Sequence, residues 1–159
     1  MSNGQSWPKG FTLIELAIVI AIIVIISSAG LFSFSSFNRS QLFDTGVSEV
    51  TSLLATARSN AFSQVVPSAC GSTAISSYKV ATTISGQSYG LYAVCGGDQL
   101  ISAKRLPGQM IFDLASIESI SFEIATGVVN TPGSIILTGY GKSQTIFINK
   151  FGSVCSTSC

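Results

Sequence analysis

Hydrophobic and polar positions along the chain follow three regimes in succession. Residues 11–34, FTLIELAIVIAIIVIISSAGLFSF, are almost wholly apolar, and Glu15 is the one charged residue among them. From Asn38 the pattern turns amphipathic: Phe43, Val47, Val50, Leu54, Ala57 and Ala61 recur every three or four residues, with Asp44, Glu49, Ser52 and Arg58 between them. That spacing predicts a helix with one apolar face. Beyond Cys70 the period shortens to two and glycine-bearing turns interrupt it, as expected of antiparallel strands. The fold class predicted is α+β: a long N-terminal α-helix, transmembrane in its first half and amphipathic in its second, packed on a small antiparallel β-sheet head.

The helix is predicted from about Thr12 to about Gln64, on the order of 80 Å at 1.5 Å per residue. Pro67 ends it, with Val65 and Val66 already extended because a residue before proline avoids the α region. Ser27-Ser28-Ala29-Gly30 interrupts the apolar run with weak helix formers, which suits either a bend or a small-residue packing face for neighbouring helices. Residues 11–66 are thus assigned to the helix, 11–34 to its membrane or filament-core part, and 67–159 to the head. In the head, Tyr78–Ile84 reads as a strand. Tyr89–Val94 and Leu100–Leu106 read as a hairpin about Cys95-Gly96-Gly97-Asp98, since paired glycines supply positive φ. Pro107-Gly108 closes that group. Ser119–Ala125, Ser134–Thr138 and Gln144–Asn149 follow, joined by turns at Thr126-Gly127 and at Gly139-Tyr140-Gly141-Lys142, and Phe151-Gly152 turns into a last short segment.

Composition sharpens the picture. Over 159 residues the chain is 47% hydrophobic and only 9% charged, with a formal net charge of +1. The basic residues are dispersed among the acidic ones, and Lys104-Arg105 is the one adjacent pair, so the clustered phosphate-neutralising surface that nucleic acid requires is missing. Four cysteines, Cys70, Cys95, Cys155 and Cys159, stand beside no histidine at all. Four cysteines allow three disulfide pairings, and the sequence does not choose among them. Cys155 and Cys159 are close enough to close a short terminal loop, which makes Cys70 with Cys95 the preferred complement. Zinc would need all four thiolates without a C-x2-C knuckle.

Catalytic chemistry finds no support in the residue pattern. A thiol nucleophile has no histidine base, and Asp98, Asp113, Glu118 and Glu123 fall on scattered turns and strands without ligand spacing. Gly139-Tyr140-Gly141-Lys142-Ser143 contains Gly-Lys-Ser, but Ile136 stands where a phosphate loop needs its first glycine and a strand follows instead of a helix. No cofactor, no metal and no enzymatic activity are expected.

The charge at Glu15 is the feature that composition leaves unexplained. A carboxylate in an apolar span costs several kcal/mol on a rough scale, so it needs a partner. Lys9-Gly10-Phe11-Thr12-Leu13-Ile14-Glu15-Leu16 resembles the class III signal of type IV pilins and pseudopilins. The resemblance implies a leader at residues 1–10, cleavage between Gly10 and Phe11 by a prepilin peptidase, and N-methylation of the new Phe11 amine. It differs from an ordinary secretory signal, whose cleavage site follows the apolar region. Pairing Glu15 with the Phe11 amine of a neighbouring subunit would relieve two buried charges together. Many pilins carry a proline near Gly30, and this sequence does not. The turn spacing over Ser119–Cys155, with a final Gly152-Ser153-Val154, resembles the head of H-type minor pseudopilins and related minor pilins.

The function so implied is structural. A minor pilin or pseudopilin would sit as a single-pass protein in the inner membrane and then assemble through its helix into an extracytoplasmic filament of a type IV pilus or type II secretion pseudopilus. Its partners would be sister pilin subunits, the prepilin peptidase, an inner-membrane platform protein, a cytoplasmic assembly ATPase and membrane lipid. The alternative on the same scaffold is a DNA-uptake minor pilin with a DNA-binding head. That alternative predicts a basic tail or loop, whereas Ser153–Cys159 carries no charge.

Overall fold

A computed structural model describes residues 10–156, with the side chains of residues 28–33 outside the description. Lys9 and the rest of the expected leader before Gly10, the Ser28-Ala29-Gly30 side chains and Cys159 therefore lie outside the described residues. The element order is α1 (Leu13–Phe62), a 3-10 turn (Ser68–Cys70), β1 (Ser77–Thr82), β2 (Ser88–Val94), β3 (Asp98–Arg105), β4 (Ile111–Phe112), β5 (Ser119–Glu123), β6 (Gly133–Gly139), β7 (Lys142–Ile148) and β8 (Val154–Cys155). Two compact units divide at Met1–Asn38 and Arg39–Cys159, so the boundary falls inside α1 and not at its end.

In the first unit the chain leaves an irregular Gly10–Thr12 segment and enters the helix at Leu13. Every described side chain from Leu13 to Ser27 is exposed, whichever way it points. A helix that is apolar on all sides and covered on none requires an apolar surround supplied from outside. Among the described residues no helix is long and apolar enough to cross a membrane. The predicted span 11–34 runs through residues 28–33, whose side chains are not described.

In the second unit α1 buries one stripe, Phe43, Gly46, Val50, Leu53, Leu54, Ala57 and Ala61, with Val47 half-buried. Small residues at positions 46, 57 and 61 let the helix lie close to the head. At Gly46 a side chain would meet Met110 Sδ at 2.5 Å and Pro107 Cδ at 3.2 Å. The helix ends in a Schellman arrangement: Gln64 takes φ 53, its N–H donates to the Ala61 carbonyl at 3.3 Å, and Val65 N–H donates to the Asn60 carbonyl at 3.1 Å. This left-handed cap stops the helix before Pro67 is reached. The buried Tyr78 then donates its hydroxyl to the Val65 carbonyl at 2.8 Å, tying the exit of the helix to β1.

The head is antiparallel β-structure packed on the helix, as the sequence predicted, and its strands form two four-stranded sheets. The first has the order β3-β2-β1-β5 and the second β4-β6-β7-β8. Alternation places Tyr78 and Val80 of β1, Leu91 and Ala93 of β2, Ile120 and Phe122 of β5, Ile135 and Leu137 of β6, and Ile146 and Ile148 of β7 in one core with the helix stripe. Three junctions follow turn chemistry. The β2–β3 loop turns at Gly96 with φ 76, and Cys95 N–H donates to the Gly97 carbonyl at 3.0 Å. The β6–β7 loop has both central residues left-handed, Tyr140 at φ 53 and Gly141 at φ 75, between paired Gly139 and Lys142. Two positive φ values make it a type I′ hairpin turn, so the Gly-Lys-Ser sequence belongs to a hairpin and not to a phosphate loop. The third is Gly152 at φ 73, whose Cβ would meet the Gly127 carbonyl oxygen.

A disulfide joins Cys70 to Cys95, with Cα atoms 5.7 Å apart. It anchors the segment leaving α1 to the end of β2. No described cysteine is free; the partner expected for Cys155 is Cys159, which is not described.

Candidate functional site

The segment Gly10–Leu16 is built by one capping interaction. Thr12 precedes the helix, and its Oγ1 accepts the Glu15 N–H at 3.3 Å. Its carbonyl accepts the Leu16 N–H at 3.2 Å. Thr12 is therefore the N-cap and Glu15 the third helical residue, the positions of a Thr-x-x-Glu capping box. That signature stands openly in the sequence as Thr12-Leu13-Ile14-Glu15.

Three consequences follow from the cap. First, helix begins immediately after Thr12, so the Gly10–Phe11 peptide lies in irregular backbone, and nothing comes within 4 Å of where a Gly10 side chain would be. Second, Phe11 is the residue just ahead of the cap. A free amine there would sit at the positive end of the helix dipole and would need a carboxylate nearby. Third, Glu15 falls in the first turn, where a negative charge is favourable. Its carboxylate has no hydrogen-bond or ionic partner among the described residues, and the surrounding Phe11, Leu13, Ile14, Leu16 and Ile18 are all exposed.

The head offers ordered polar contacts. Among the described residues no group of His, Cys, Asp or Glu is placed to hold a metal ion. Lys79 pairs with Asp98 and stands 5.6 Å from the centre of the Tyr92 ring. Arg105 Nε donates to Gln87 Oε1 at 2.9 Å, so half of the Lys104-Arg105 pair is used within the fold. Asp113 Oδ1 caps Ala115 N–H at 3.0 Å. Tyr89 donates its hydroxyl to Glu49 at 3.2 Å. Burial first, then the Glu49 charge and that hydrogen bond, push the Tyr89 phenol well above its ordinary pKa. Lys142, read from the sequence only as a turn residue, reaches α1 instead: its Nζ donates to Ser40 Oγ at 2.7 Å, lies 4.0 Å from Asp44 and sits 5.8 Å from the Phe43 ring centre.

Residues 8–31 match the family model described as the prokaryotic N-terminal methylation motif. The matched segment contains Gly10, Phe11, Thr12 and Glu15, and it supports a type IV pilin-like prepilin signal on a pilin-type subunit. No curated protein and no solved structure matches the chain.

Proposed function

We propose that the chain is a structural subunit, of the minor pilin or pseudopilin kind, that a prepilin peptidase processes and that assembles through its N-terminal helix into a filament. Hydrolysis of the Gly10–Phe11 peptide releases the leader and leaves an α-amine on Phe11, charged near neutral pH and then N-methylated. The apolar helix is retained. It is covered first by lipid of the inner membrane and later by the helices of sister subunits, as the filament leaves for the extracytoplasmic side. A platform protein and an assembly ATPase supply the machinery and the work.

Glu15 gives the assembly its register. In a dry bundle an unpaired carboxylate is destabilising by about 3–5 kcal/mol, and so is an unpaired ammonium. Placing the Phe11 ammonium of one subunit against the Glu15 carboxylate of the next removes both penalties at one axial offset only. The single observation that supports the reading is the methylation motif, matched over a helix whose side chains from Leu13 to Ser27 are all exposed and whose Glu15 carboxylate has no partner among the described residues.

Glu15→Ala is the direct test. Membrane insertion and removal of the leader should persist, while filament assembly is lost because the neighbouring amine has no counter-charge. Filaments of normal number and length from Glu15→Ala would refute the pairing.

A further inference from the structure

A groove of about 370 Å³ runs between the last turns of α1 and the C-terminal strand, lined by Ala55, Arg58, Ser59, Phe62, Gly152 and Val154. Arg58 is its one charged group. The stem of Arg58 is wedged between two glycines: a Cβ at Gly127 would meet Arg58 Cγ at 3.3 Å, and a Cβ at Gly152 would meet Arg58 Cδ at 3.2 Å. Both glycines have positive φ, 63 and 73, so the backbone there is committed to making room for the arginine. Among the described residues the guanidinium has no carboxylate partner. A positioned cation in an apolar groove suits a ligand that combines an aliphatic side chain with a carboxylate.

The same chain presents that combination elsewhere. Leu114 is 78% exposed and follows Asp113 directly. Its loop is held stiffly: Asp113 caps Ala115 N–H, Asp113 N–H donates to the Ile136 carbonyl at 2.9 Å, and the buried Ser116 hydroxyl both donates to and accepts from the Ile136 backbone at 3.0 and 2.9 Å. A preordered loop that exposes a leucine loses little entropy on docking. The loop continues from β4, at one edge of the second sheet, and the groove lies beside β8, at the other edge. Three strand spacings, roughly 14 Å, separate those edges.

We propose that Leu114 of one copy enters the Arg58 groove of the next, with Asp113 meeting the guanidinium. Donor and acceptor surfaces sit on opposite edges of one sheet, so the contact is head-to-tail and propagates instead of closing on itself. The inference rests on the filament reading and extends it from the helix to the heads: it requires that copies of this chain stand next to one another.

Cross-linking of the full chain in membranes of cells that assemble it provides the test. Ser63→Cys, exposed one turn beyond Ser59, with Ala115→Cys flanks groove and knob without removing either, and Ala17→Cys with Ala21→Cys samples the apolar helix separately. Oxidation of the head pair should give dimers and higher multimers. Adding Asp113→Arg should lower that yield on the order of tenfold by setting two cations together, and adding Arg58→Asp as well should restore it. Leu114→Asp, at an exposed position, should abolish the head product without affecting the fold. If the helix pair cross-links and the head pair does not, the head contact is wrong and helix-mediated assembly stands. A head product that stops at dimer overturns the head-to-tail geometry. If neither pair cross-links, both readings fall.

Discussion

Removing the Cys70–Cys95 disulfide should destabilise the head by an amount fixed by the loop it closes. The two cysteines are 25 residues apart. Loop-closure entropy for a loop of that length is worth about 3.5 kcal/mol at 25 °C, since the unfolded chain regains the freedom that the cross-link denied it. Both cysteines are buried, at 6% and 7% exposure, so alanine is the right replacement and serine would add an unsatisfied hydroxyl. A domain of this size loses roughly 2 kcal/mol of stability per molar urea, so Cys70→Ala/Cys95→Ala should lower the unfolding midpoint by about 1.7 M with little change in native structure. Urea titration of residues 39–159, followed by tryptophan-free far-UV circular dichroism and repeated with reductant on the parent chain, reads this directly. A loss below about 1 kcal/mol in both experiments would show that the unfolded chain is already confined near this loop, and would refute the entropic reasoning.

The remaining predictions concern single side chains in the head. Tyr89 holds its proton more tightly in the fold than in the unfolded chain. Stability is thus insensitive to this group below about pH 10 and falls as pH rises above it, because the unfolded chain loses the proton first. The urea midpoint should drop as pH rises from about 10 to 11, and Tyr89→Phe should remove part of that slope; an unchanged slope would contradict the assignment. Gly152→Ala should destabilise by about 1–3 kcal/mol, since the position is left-handed and its Cβ would press on the Gly127 carbonyl. A thermal midpoint equal to that of the parent would show that the turn can relax.

The predicted strands and the helix stripe were readable because each rests on a local pattern. The stripe Phe43, Val50, Leu54, Ala57 and Ala61 is buried as its spacing requires, and Leu53 joins it because the buried band is wider than one row of side chains. The Gly96-Gly97 and Tyr140-Gly141 turns carried their own conformational signal. Two-residue β4 carried none, and neither did the division into two sheets, which depends on β1 pairing with the distant β5 and β4 with β6. At the candidate site, Gly10, Phe11 and Glu15 stood out by contrast with an apolar run. The Thr12 cap is equally legible, as a Thr-x-x-Glu pattern directly ahead of an apolar run. The fit of Arg58 between Gly127 and Gly152 could not be read in advance, because it arises only when three separate segments meet.

Lys142 illustrates the same limit from the other side. Its neighbours in sequence mark a turn, and the turn is there. Its contact with Ser40, Asp44 and Phe43 depends on where the hairpin tip meets α1. The contact falls just beyond the boundary at Asn38 and Arg39, where the second unit begins. From that point the helix has a folded protein surface to cover one face. Before it, the described apolar side chains from Leu13 to Ser27 are exposed on every face.

The claim on which this account depends is that the apolar helix is kept and its amine set free. Mass spectrometry of the N-terminal peptide of the mature protein tests it most directly. The account predicts a chain beginning at Phe11 and bearing a methyl group on its α-nitrogen. A chain still beginning at Met1, or one cut after the apolar run and lacking Glu15, would contradict it.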